Sequence, residues 1–323
     1  MTDRIRWGIL GTGDINKKVL RGARLSSDVE VVAVASRDAD RAASFANEHA
    51  IPRSFGTYEA MLEDPDVDAV YICVPNSLHH PWTMTALAAG KHVLCEKPYT
   101  RHPDEVSVAF DAAERAGLVL MEAFMWRHTP QTQRVLELLP RIGRLQTVRA
   151  TFSFPLKNPD NIRLRSDLDG GSLMDVGCYC VSGARLLAGE EPDAVYGTQE
   201  VGPSGVDLRF TGVLRFPSGV VAEFTSAFTT DHESLEAIGT EGSIRLPDPW
   251  HNVRGVFTFN DEEIRLDPGN PYRAELENVS AAIRGDVEAQ LGRADALGQA
   301  RAIAALYQSA ASGTEVRLTV GEP

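Results

Sequence analysis

The feature that most constrains this chain is a short strand that leads into a glycine turn and then a helix. Residues 8–16 read GILGTGDIN, with Gly11 and Gly13 at the turn. Glycine there lets main-chain amides approach a phosphate closely, and the N-terminus of the next helix attracts the same charge. A lone GxG is weak evidence, and the alternative is a plain tight turn. Because it opens an alternating domain, we favour dinucleotide binding, although Asn16 replaces the third glycine.

Strand and helix patterns alternate over the first third of the chain. Apolar runs at residues 7–10, 29–35, 69–74, 92–95 and 118–121 predict strands, and amphipathic stretches at 40–49, 80–89 and 104–116 predict helices. Continuous Val, Ile and Leu strands separated by helices indicate a parallel sheet that is covered on both faces. The sequence therefore predicts an α/β Rossmann domain, with a doubly wound parallel sheet, over residues 1–123.

The rhythm changes after residue 123. Helices are predicted at 131–139, 172–188, 272–284 and 295–311, and alternating strands at 194–201, 208–216, 220–228, 243–246 and 315–319. Closely spaced alternating strands with turn signals between them predict an antiparallel sheet. We therefore predict an α+β domain with an open, mainly antiparallel sheet over residues 124–323. It is expected to bind substrate and to carry the oligomer contact.

Charge and hydropathy limit the partners of the chain. With 32 basic and 45 acidic residues, the formal net charge is −13, which argues against nucleic acid or an anionic membrane as the main partner. No apolar run is long enough to span a bilayer, and the first residues lack the layout of a signal peptide. None of the four cysteines has metal-ligand spacing. We therefore expect a cytoplasmic protein with a small-molecule substrate and no metal site.

The end of the second predicted strand distinguishes NAD from NADP. NAD enzymes tend to place an acidic residue there, which binds the adenosine ribose hydroxyls. This strand is followed instead by Ser36 and Arg37, with Arg41 one helical turn later, while Asp38 is predicted to cap the next helix. A hydroxyl and two guanidinium groups suit a 2′-phosphate, although both arginines can also be simply solvated. We predict a preference for NADP(H) over NAD(H).

Two further segments place reactive side chains in suggestive positions. Lys97, in CEKPYT, follows a predicted parallel strand, at the edge where such sheets bind ligands. In LMDVGCY, Asp175 and Tyr179 are four residues apart, so a helix places both on one face. From this spacing alone, the favoured interpretation of Tyr179 is a structural tyrosine whose hydroxyl bonds to Asp175.

Several motifs together resemble a known family. GxGxI near the start, PNSLH at 75–79, EKP at 96–98 and GGSLMDVGCY at 170–179 occur in the order of the glucose–fructose oxidoreductase and inositol dehydrogenase (Gfo/Idh/MocA) family. With the tail DALGQARAIAALYQSAASG, the resemblance covers nearly the whole chain. EAFMWR, NIRL and DVGCY are most similar to the branch of NADP-dependent xylose (aldose) 1-dehydrogenases and dimeric dihydrodiol dehydrogenases.

The resemblance implies roles for individual residues. Tyr179 is implied as the catalytic acid/base, Lys97 as a group that contacts cofactor ribose and substrate, and Asp175 as the residue that holds a substrate hydroxyl. Arg163 and Arg127 are implied as further substrate residues. The predicted cofactor contacts are Gly11, Thr12, Gly13, Asp14, Ile15, Ser36, Arg37, Arg41, Pro75, Asn76, His79, Glu96, Lys97, Trp126 and Arg127. Trp250 and Phe154 are either core aromatics or walls of the sugar site.

The implied chemistry is oxidation of an alcohol. Free tyrosine, with a pKa of about 10, is a poor base at neutral pH, and a nearby ammonium group lowers that pKa. Lys97 and Tyr179 are therefore expected to move the proton while the nicotinamide takes the hydride. We predict an NADP(H)-dependent oxidoreductase that acts on a sugar-like alcohol, with aldose 1-dehydrogenase as the leading interpretation. The alternatives are a keto-sugar reductase, a trans-dihydrodiol dehydrogenase and a non-catalytic NAD(P)-binding sensor. A homodimer or homotetramer through the second sheet is expected.

Overall fold

The computed structural model describes residues 4–318, which form two compact units. The first unit contains the chain up to Thr100, Asp104–Met125 and Asn270–Ala296; the second contains Arg101–Pro103, Trp126–Gly269 and the chain from Leu297. This grouping differs from the predicted division after residue 123. The reason is a close packing contact, since a Cβ atom on Gly22 would lie 2.6 Å from the Arg273 amide nitrogen. Within residues 4–318, no helix combines the length and the hydropathy needed to cross a membrane.

The first unit is built on a six-stranded parallel sheet. Its elements are β1 (Ile5–Leu10), α1 (Ile15–Arg24), β2 (Val29–Ala35), α2 (Ala39–His49), β3 (Arg53–Phe55), α3 (Tyr58–Leu62), β4 (Ala69–Ile72), α4 (His79–Ala88), β5 (His92–Glu96), α5 (Pro103–Ala116) and β6 (Leu120–Ala123). The strand order is β3-β2-β1-β4-β5-β6, which confirms the predicted Rossmann sheet. The order reverses between β1 and β4, and ligands bind at such a switch point, beyond the carboxyl ends of the strands.

The second unit contains a nine-stranded sheet. The remaining elements of the chain, of which α8 belongs to the first unit, are α6 (Pro130–Leu138), β7 (Leu145–Ser153), α7 (Cys178–Ala188), β8 (Ala194–Val201), β9 (Asp207–Arg215), β10 (Val221–Ala227), β11 (His232–Gly239), β12 (Ser243–Leu246), β13 (Val256–Phe259), β14 (Glu262–Arg265), α8 (Pro271–Ile283), α9 (Arg293–Ser312) and β15 (Val316–Arg317). The order is β14-β13-β12-β11-β7-β10-β9-β8-β15, antiparallel except for the β7–β10 pair. The predicted open, mainly antiparallel sheet is confirmed. Thr319, the last residue of the predicted final strand, lies outside the described residues.

The two faces of this sheet differ in character. Val148, Ala150 and Phe152 of β7 are buried on one face, and α7 packs against β7. Arg149 and Thr151 alternate with them on the other face, where Arg149 Nε lies 2.6 Å from a carboxylate oxygen of Glu223. Strands β7, β11, β13 and β14 were not predicted, although β7 alternates apolar and polar residues as a half-buried strand does.

The predicted helix over residues 172–188 has two parts. Leu173–Gly177 is a π-helical segment, and α7 continues from it. A π-helix bonds residue i to i+5 and winds more widely than an α-helix. Asp175 lies in the π-helical segment and Tyr179 in α7, on the other side of the junction. That the two side chains share one face stays a prediction.

Candidate active site

The glycine turn between β1 and α1 requires glycine at its first position. Gly11 has a φ of +106°, and a Cβ atom there would lie 3.0 Å from the carbonyl oxygen of Cys73. Asn16 is buried, and its amide donates to the Gly11 carbonyl at 3.0 Å. The Gly11 amide donates to the Ala35 carbonyl at 3.0 Å, which holds the turn beside the end of β2. Thr12, Gly13, Asp14 and Ile15 complete the turn and begin the helix. Close-approaching main chain at a helix N-terminus fits a pyrophosphate.

A hydroxyl and two cations follow β2, beside that turn. Ser36 is buried, whereas Arg37 and Arg41 are exposed. Asp38 caps α2 by accepting a hydrogen bond from the Arg41 amide at 3.0 Å, which confirms the predicted cap. Burial raises the pKa of Tyr58, and the Arg37 and Arg41 cations act in the opposite direction. The charges of both guanidinium groups therefore act on the Tyr58 phenol, and two cations that follow β2 fit a bound phosphate.

The PNSLH segment follows β4 and ends in a buried histidine. Pro75 precedes a short 3-10 turn, Asn76–Leu78, and His79 begins α4. The His79 ring nitrogens lie 2.9 Å from the carbonyl oxygens of Val74 and Pro98. Burial lowers the pKa of His79 to about 4, although these carbonyl contacts act in the opposite direction. The ring therefore ties the end of β4 to the segment after β5.

Lys97 directly follows β5 and is half-buried. The Lys97–Pro98 peptide bond is cis. The Lys97 amide donates to one carboxylate oxygen of Glu96 at 3.3 Å, and the Tyr71 hydroxyl donates to the other. Through these two hydrogen bonds, Glu96 supports the main chain that carries Lys97. Burial also raises the pKa of Glu275, and the charge of Glu96 raises that pKa further.

Trp126 and Arg127 lie in a short 3-10 turn, Met125–His128, and both are buried. Trp126 packs edge to face on Trp250, with ring centroids 5.2 Å apart. Arg127 Nη1 donates to the Ser182 hydroxyl of α7 at 3.3 Å, and its Cζ lies 5.7 Å from the Trp126 ring. The structure therefore places both residues in the interior of the second unit, with Arg127 bonded to α7 and Trp126 packed on Trp250.

Asp175 and Arg163 are brought together. Arg163 Nε lies 2.6 Å from Asp175 Oδ2, and the two side chains are 41% and 13% exposed, respectively. Arg163 Cζ also lies 5.8 Å from the ring of Phe154. A carboxylate and a guanidinium group side by side can bind two neighbouring hydroxyl groups: the carboxylate accepts a hydrogen bond from one hydroxyl, and the guanidinium donates one to the other.

Tyr179, the second residue of α7, lies in an aromatic cluster. Its ring centroid is 5.3 Å from that of Phe152 and 5.8 Å from that of Trp250. Trp250 is fully buried, so it is a core aromatic that also contacts the Tyr179 ring. Phe154 packs edge to face on Phe228 at 5.4 Å. The ring of Tyr179 is thus fixed by apolar neighbours, as a group that must transfer a proton at a defined position requires.

A buried carboxylate anchors the helix that carries these residues. Asp207 accepts hydrogen bonds from the Ser172 hydroxyl at 2.8 Å, the Leu173 amide at 2.7 Å and the Tyr307 hydroxyl at 2.8 Å. Burial raises the pKa of Asp207, and these bonds act in the opposite direction. Gly171 has a φ of +121°, and a Cβ atom there would lie 2.2 Å from Asp207 Oδ1. The close approach of Asp207 thus explains Gly171, whereas a Cβ atom on Gly170 would lie 2.4 Å from the Arg163 carbonyl oxygen.

Replacing Gly171 with alanine is expected to destabilise the protein by about 3 kcal/mol or more, because backbone strain adds to a clash with a fixed carboxylate. The matched control is Gly189→Ala at the end of α7, where φ is +71° and nothing lies within 4 Å of the added atom. The control is expected to lose about 1 kcal/mol. The measurement is the urea midpoint of unfolding. Equal losses in the two variants would mean that Asp207 imposes no constraint.

Sequence reasoning missed Phe152 and Asp207. The alternation of β7 was an available signal for Phe152, because Val148, Ala150 and Phe152 are spaced two apart. No local signal points to Asp207, because its bond to Ser172 joins residues 35 apart in the sequence.

Two family models match the chain. One, described as an oxidoreductase family with an NAD-binding Rossmann fold, covers residues 5–124, and the other, the GFO/IDH/MocA C-terminal domain, covers residues 135–245. D-xylose 1-dehydrogenase (NADP(+)) 2 of Haloferax volcanii is 41% identical, over 97% of this chain and 99% of that protein. Trans-1,2-dihydrobenzene-1,2-diol dehydrogenase of Xenopus laevis is 33% identical, over 88% and 87%. The crystal structure of aldose-aldose oxidoreductase from Caulobacter crescentus, complexed with glycerol, matches with a TM-score of 0.90 at 29% identity, over 98% and 100%.

Proposed function

Because this chain belongs to the GFO/IDH/MocA oxidoreductase family, we propose that it is an NADP(H)-dependent aldose 1-dehydrogenase. The main support is the 41% identity to a D-xylose 1-dehydrogenase along nearly the full length of both chains. The pairing of Asp175 with Arg163, near the π-helix junction that leads to Tyr179, adds a polyol-binding set of side chains. The test is the change in nicotinamide absorbance with NADP or NAD and a panel of aldoses, polyols and diols.

A bound NADP, which the glycine turn after β1 and the groups of Ser36, Arg37 and Arg41 would hold, would supply a nicotinamide as the acceptor for the hydride on C1 of the sugar. Tyr179, as the phenolate, accepts the proton of the C1 hydroxyl while the C–H bond breaks and the carbonyl forms. A neutral phenol is a weak base, so the reaction needs a cation that stabilises the phenolate. Lys97 is assigned that role, because it follows β5 at the ligand-binding edge of the parallel sheet.

Asp175 and Arg163 orient the sugar. The Asp175 carboxylate accepts a hydrogen bond from a ring hydroxyl, and Arg163 donates to the oxygen beside it. Trp250 and Phe152 fix the Tyr179 ring, so the phenol oxygen meets the sugar in one orientation. Positioning and proton transfer are therefore the contributions of this chain.

Arg37→Ala is expected to raise the KM for NADP about 10- to 100-fold, the loss typical of one charge-assisted hydrogen bond to a phosphate. The KM for NAD, which has no 2′-phosphate, is expected to stay within about threefold of the wild type. Steady-state kinetics with both cofactors measure this directly.

The control for that experiment is Arg21→Ala, which removes an equal charge in the last turn of α1. It is expected to leave the NADP/NAD preference unchanged. Equal losses for NADP and NAD in Arg37→Ala would contradict the assignment of Arg37 to the 2′-phosphate.

Two other substrates require the same residues. A trans-dihydrodiol and a keto-sugar each present a secondary alcohol or carbonyl, and relatives named for a dihydrodiol dehydrogenase and for a 1,5-anhydro-D-fructose reductase are 33% and 31% identical. The kcat/KM values for the members of the substrate panel distinguish these alternatives.

A non-catalytic sensor would bind NADP tightly and turn over no member of the panel. The combination of Lys97 and Tyr179 favours an enzyme, because a sensor has no proton to move.

The oligomer is assigned to the open face of the second sheet. Tyr196, Val213 and Val221 are exposed on neighbouring strands of that face, and an exposed apolar patch of this kind suits a subunit contact. Val213→Asp is expected to reduce the mass measured by light scattering to that of one chain. An unchanged mass would mean that the subunit contact lies on another surface.

A cytoplasmic location stays a prediction from the sequence.

A further inference from the structure

A histidine and two carboxylates cluster in the second unit. His251 Nδ1 lies 2.5 Å from Glu233 Oε1, and the two side chains are 36% and 13% exposed, respectively. The other carboxylate oxygen of Glu233 is buried and has no hydrogen-bond partner among residues 4–318. Asp248 completes a group whose ligand atoms lie within 4.8 Å of one another. A buried acceptor without a donor is unfavourable unless something outside the chain supplies one.

This cluster lies one aromatic ring from Tyr179. Glu233 on β11 is paired in register with Phe152 on β7, so their side chains share a sheet face. The Phe152 ring contacts Tyr179 at 5.3 Å and His251 at 5.7 Å, edge to face in both cases. Tyr179 and His251 therefore contact the same phenyl ring, and His251 in turn contacts Glu233.

The loop that carries His251 is held in place by its own contacts. Trp250 Nε1 donates to the Thr151 carbonyl at 3.1 Å. Asp248 Oδ2 accepts hydrogen bonds from the amides of Val253 and Arg254 at 2.6 and 3.0 Å. These bonds fix the loop without using the Glu233–His251 pair, so the pair is not needed to define the shape of the loop. A site held in this way is preorganised, which lowers the entropy lost on binding.

The chemistry of the group matches a sugar. A carboxylate accepts hydrogen bonds from hydroxyls, an imidazole can donate or accept, and an aromatic ring covers the apolar C–H face of the molecule. A divalent cation is the other ligand that two carboxylates and a histidine can hold. Asp248 already accepts two amide donors, and His251 already contacts Glu233, so a hydroxyl group needs less rearrangement than an ion does.

We propose that Glu233 and His251 form a second hydroxyl-binding subsite, which holds the end of the aldose remote from C1. The subsite deepens the aldose 1-dehydrogenase function proposed above and rests on it. Asp175 and Arg163 hold the hydroxyls near the reacting carbon, whereas Glu233 and His251 select the sugars that carry a distal hydroxyl in the matching position.

The experiment compares kcat/KM for D-glucose, its 2-, 3-, 4- and 6-deoxy derivatives and D-xylose, in the wild type, Glu233→Gln and His251→Gln. In the wild type, loss of one distal hydroxyl is expected to lower kcat/KM about tenfold, because the site's buried acceptor is left unpaired. In both variants that loss is expected to shrink to within about threefold, since the partner is already gone. If each variant instead lowers kcat/KM by the same factor for every sugar, the Glu233–His251 pair has only a structural role. That result would overturn the subsite.

Two controls distinguish the hydroxyl subsite from a general effect of charge on this strand and from a cation site. Glu236→Gln removes a carboxylate from the same strand, where it pairs with Arg245 at 2.5 Å on the opposite face of the sheet. It is expected to leave the ratios between sugars unchanged, and a change in those ratios would overturn the assignment. All assays are repeated with EDTA and with added Mn²⁺; an effect of the Glu233 variant that needs the metal would make the cluster a cation site and overturn the hydroxyl subsite.

Failure of the proposed function gives a different result. If the wild type turns over none of these sugars, the aldose 1-dehydrogenase function is lost, and the subsite is judged by calorimetric binding of the same sugars to the NADPH complex. Weaker binding of glucose, but not of the distal deoxy sugar, by Glu233→Gln supports the subsite. Equal affinities in wild type and variant overturn it.

Discussion

Tyr179→Phe is expected to lower kcat about 1,000-fold, within the range that a positioned acid/base contributes. The phenyl ring keeps its contacts with Phe152 and Trp250 at 5.3 and 5.8 Å, so the surrounding structure is expected to stay intact. Only the hydroxyl that exchanges the proton is lost. The Kd for NADP, measured by fluorescence titration, is expected to stay within about threefold of the wild type, because the phenol acts on the substrate and not on cofactor binding.

The matched control is Tyr196→Phe on β8, which removes a phenol hydroxyl from an exposed side chain of the same unit. It is expected to leave kcat unchanged. A Tyr179→Phe variant with more than about a tenth of wild-type kcat would show that another group moves the proton, since loss of an acid/base group costs at least about 100-fold.

Lys97→Met is the second variant with a large expected effect. We expect kcat to fall about 100- to 1,000-fold near neutral pH, because the phenolate loses the cation that stabilises it. The loss should shrink as pH rises, since a tyrosine without a neighbouring cation deprotonates only near its ordinary pKa of about 10. The pH dependence of kcat for the wild type and the variant measures this shift of the acidic limb toward higher pH.

Lys97→Arg is the informative companion. It keeps a positive charge but replaces a compact ammonium with a planar fork, so it is expected to restore the acidic limb of the pH profile and only part of kcat. Parallel pH profiles for the wild type and Lys97→Met, at different heights, would contradict an effect on the phenol. They would leave Lys97 with a role in cofactor binding alone.

The first sheet could be predicted from the sequence because its signal is local. β1, β2, β4, β5 and β6 are each mainly apolar, as burial on both faces of a parallel sheet requires. β3 was missed, because three residues at the edge of a sheet carry no periodicity. The segment from Asn270 could not be assigned to the first unit from its sequence, because its helical pattern does not indicate which surface it packs against.

The second sheet was predicted only in part. β8, β9, β10 and β12 follow one another closely with turn signals between them, whereas β7 and β11 pair with each other across a long stretch of chain. The pairing of such strands depends on packing between residues far apart in the sequence, so a short sequence window does not predict it. For the same reason the contact of Phe152 with Tyr179 and the pair of Glu233 with His251 were not expected.

The roles of the site residues stay predictions, but the structure shows what several of their side chains contact. Asp175 and Arg163 were both predicted to bind substrate, and the structure places them 2.6 Å apart. His79 was predicted as a cofactor contact, but the structure places both of its ring nitrogens against main-chain carbonyls. A motif identifies that a residue type is needed at a position, but not whether its side chain contacts a ligand or the protein's own backbone.

The proposed mechanism requires that Lys97 and Tyr179 act on the same proton, and a double-mutant cycle on kcat tests that requirement. If the two residues act as a unit, Lys97→Met/Tyr179→Phe should be no slower than Tyr179→Phe alone within about threefold, because the lysine has no phenolate left to stabilise. If the two residues act independently, the individual losses should multiply, and the double variant should be slower than Tyr179→Phe by the full factor measured for Lys97→Met. That second result would contradict the proposed mechanism.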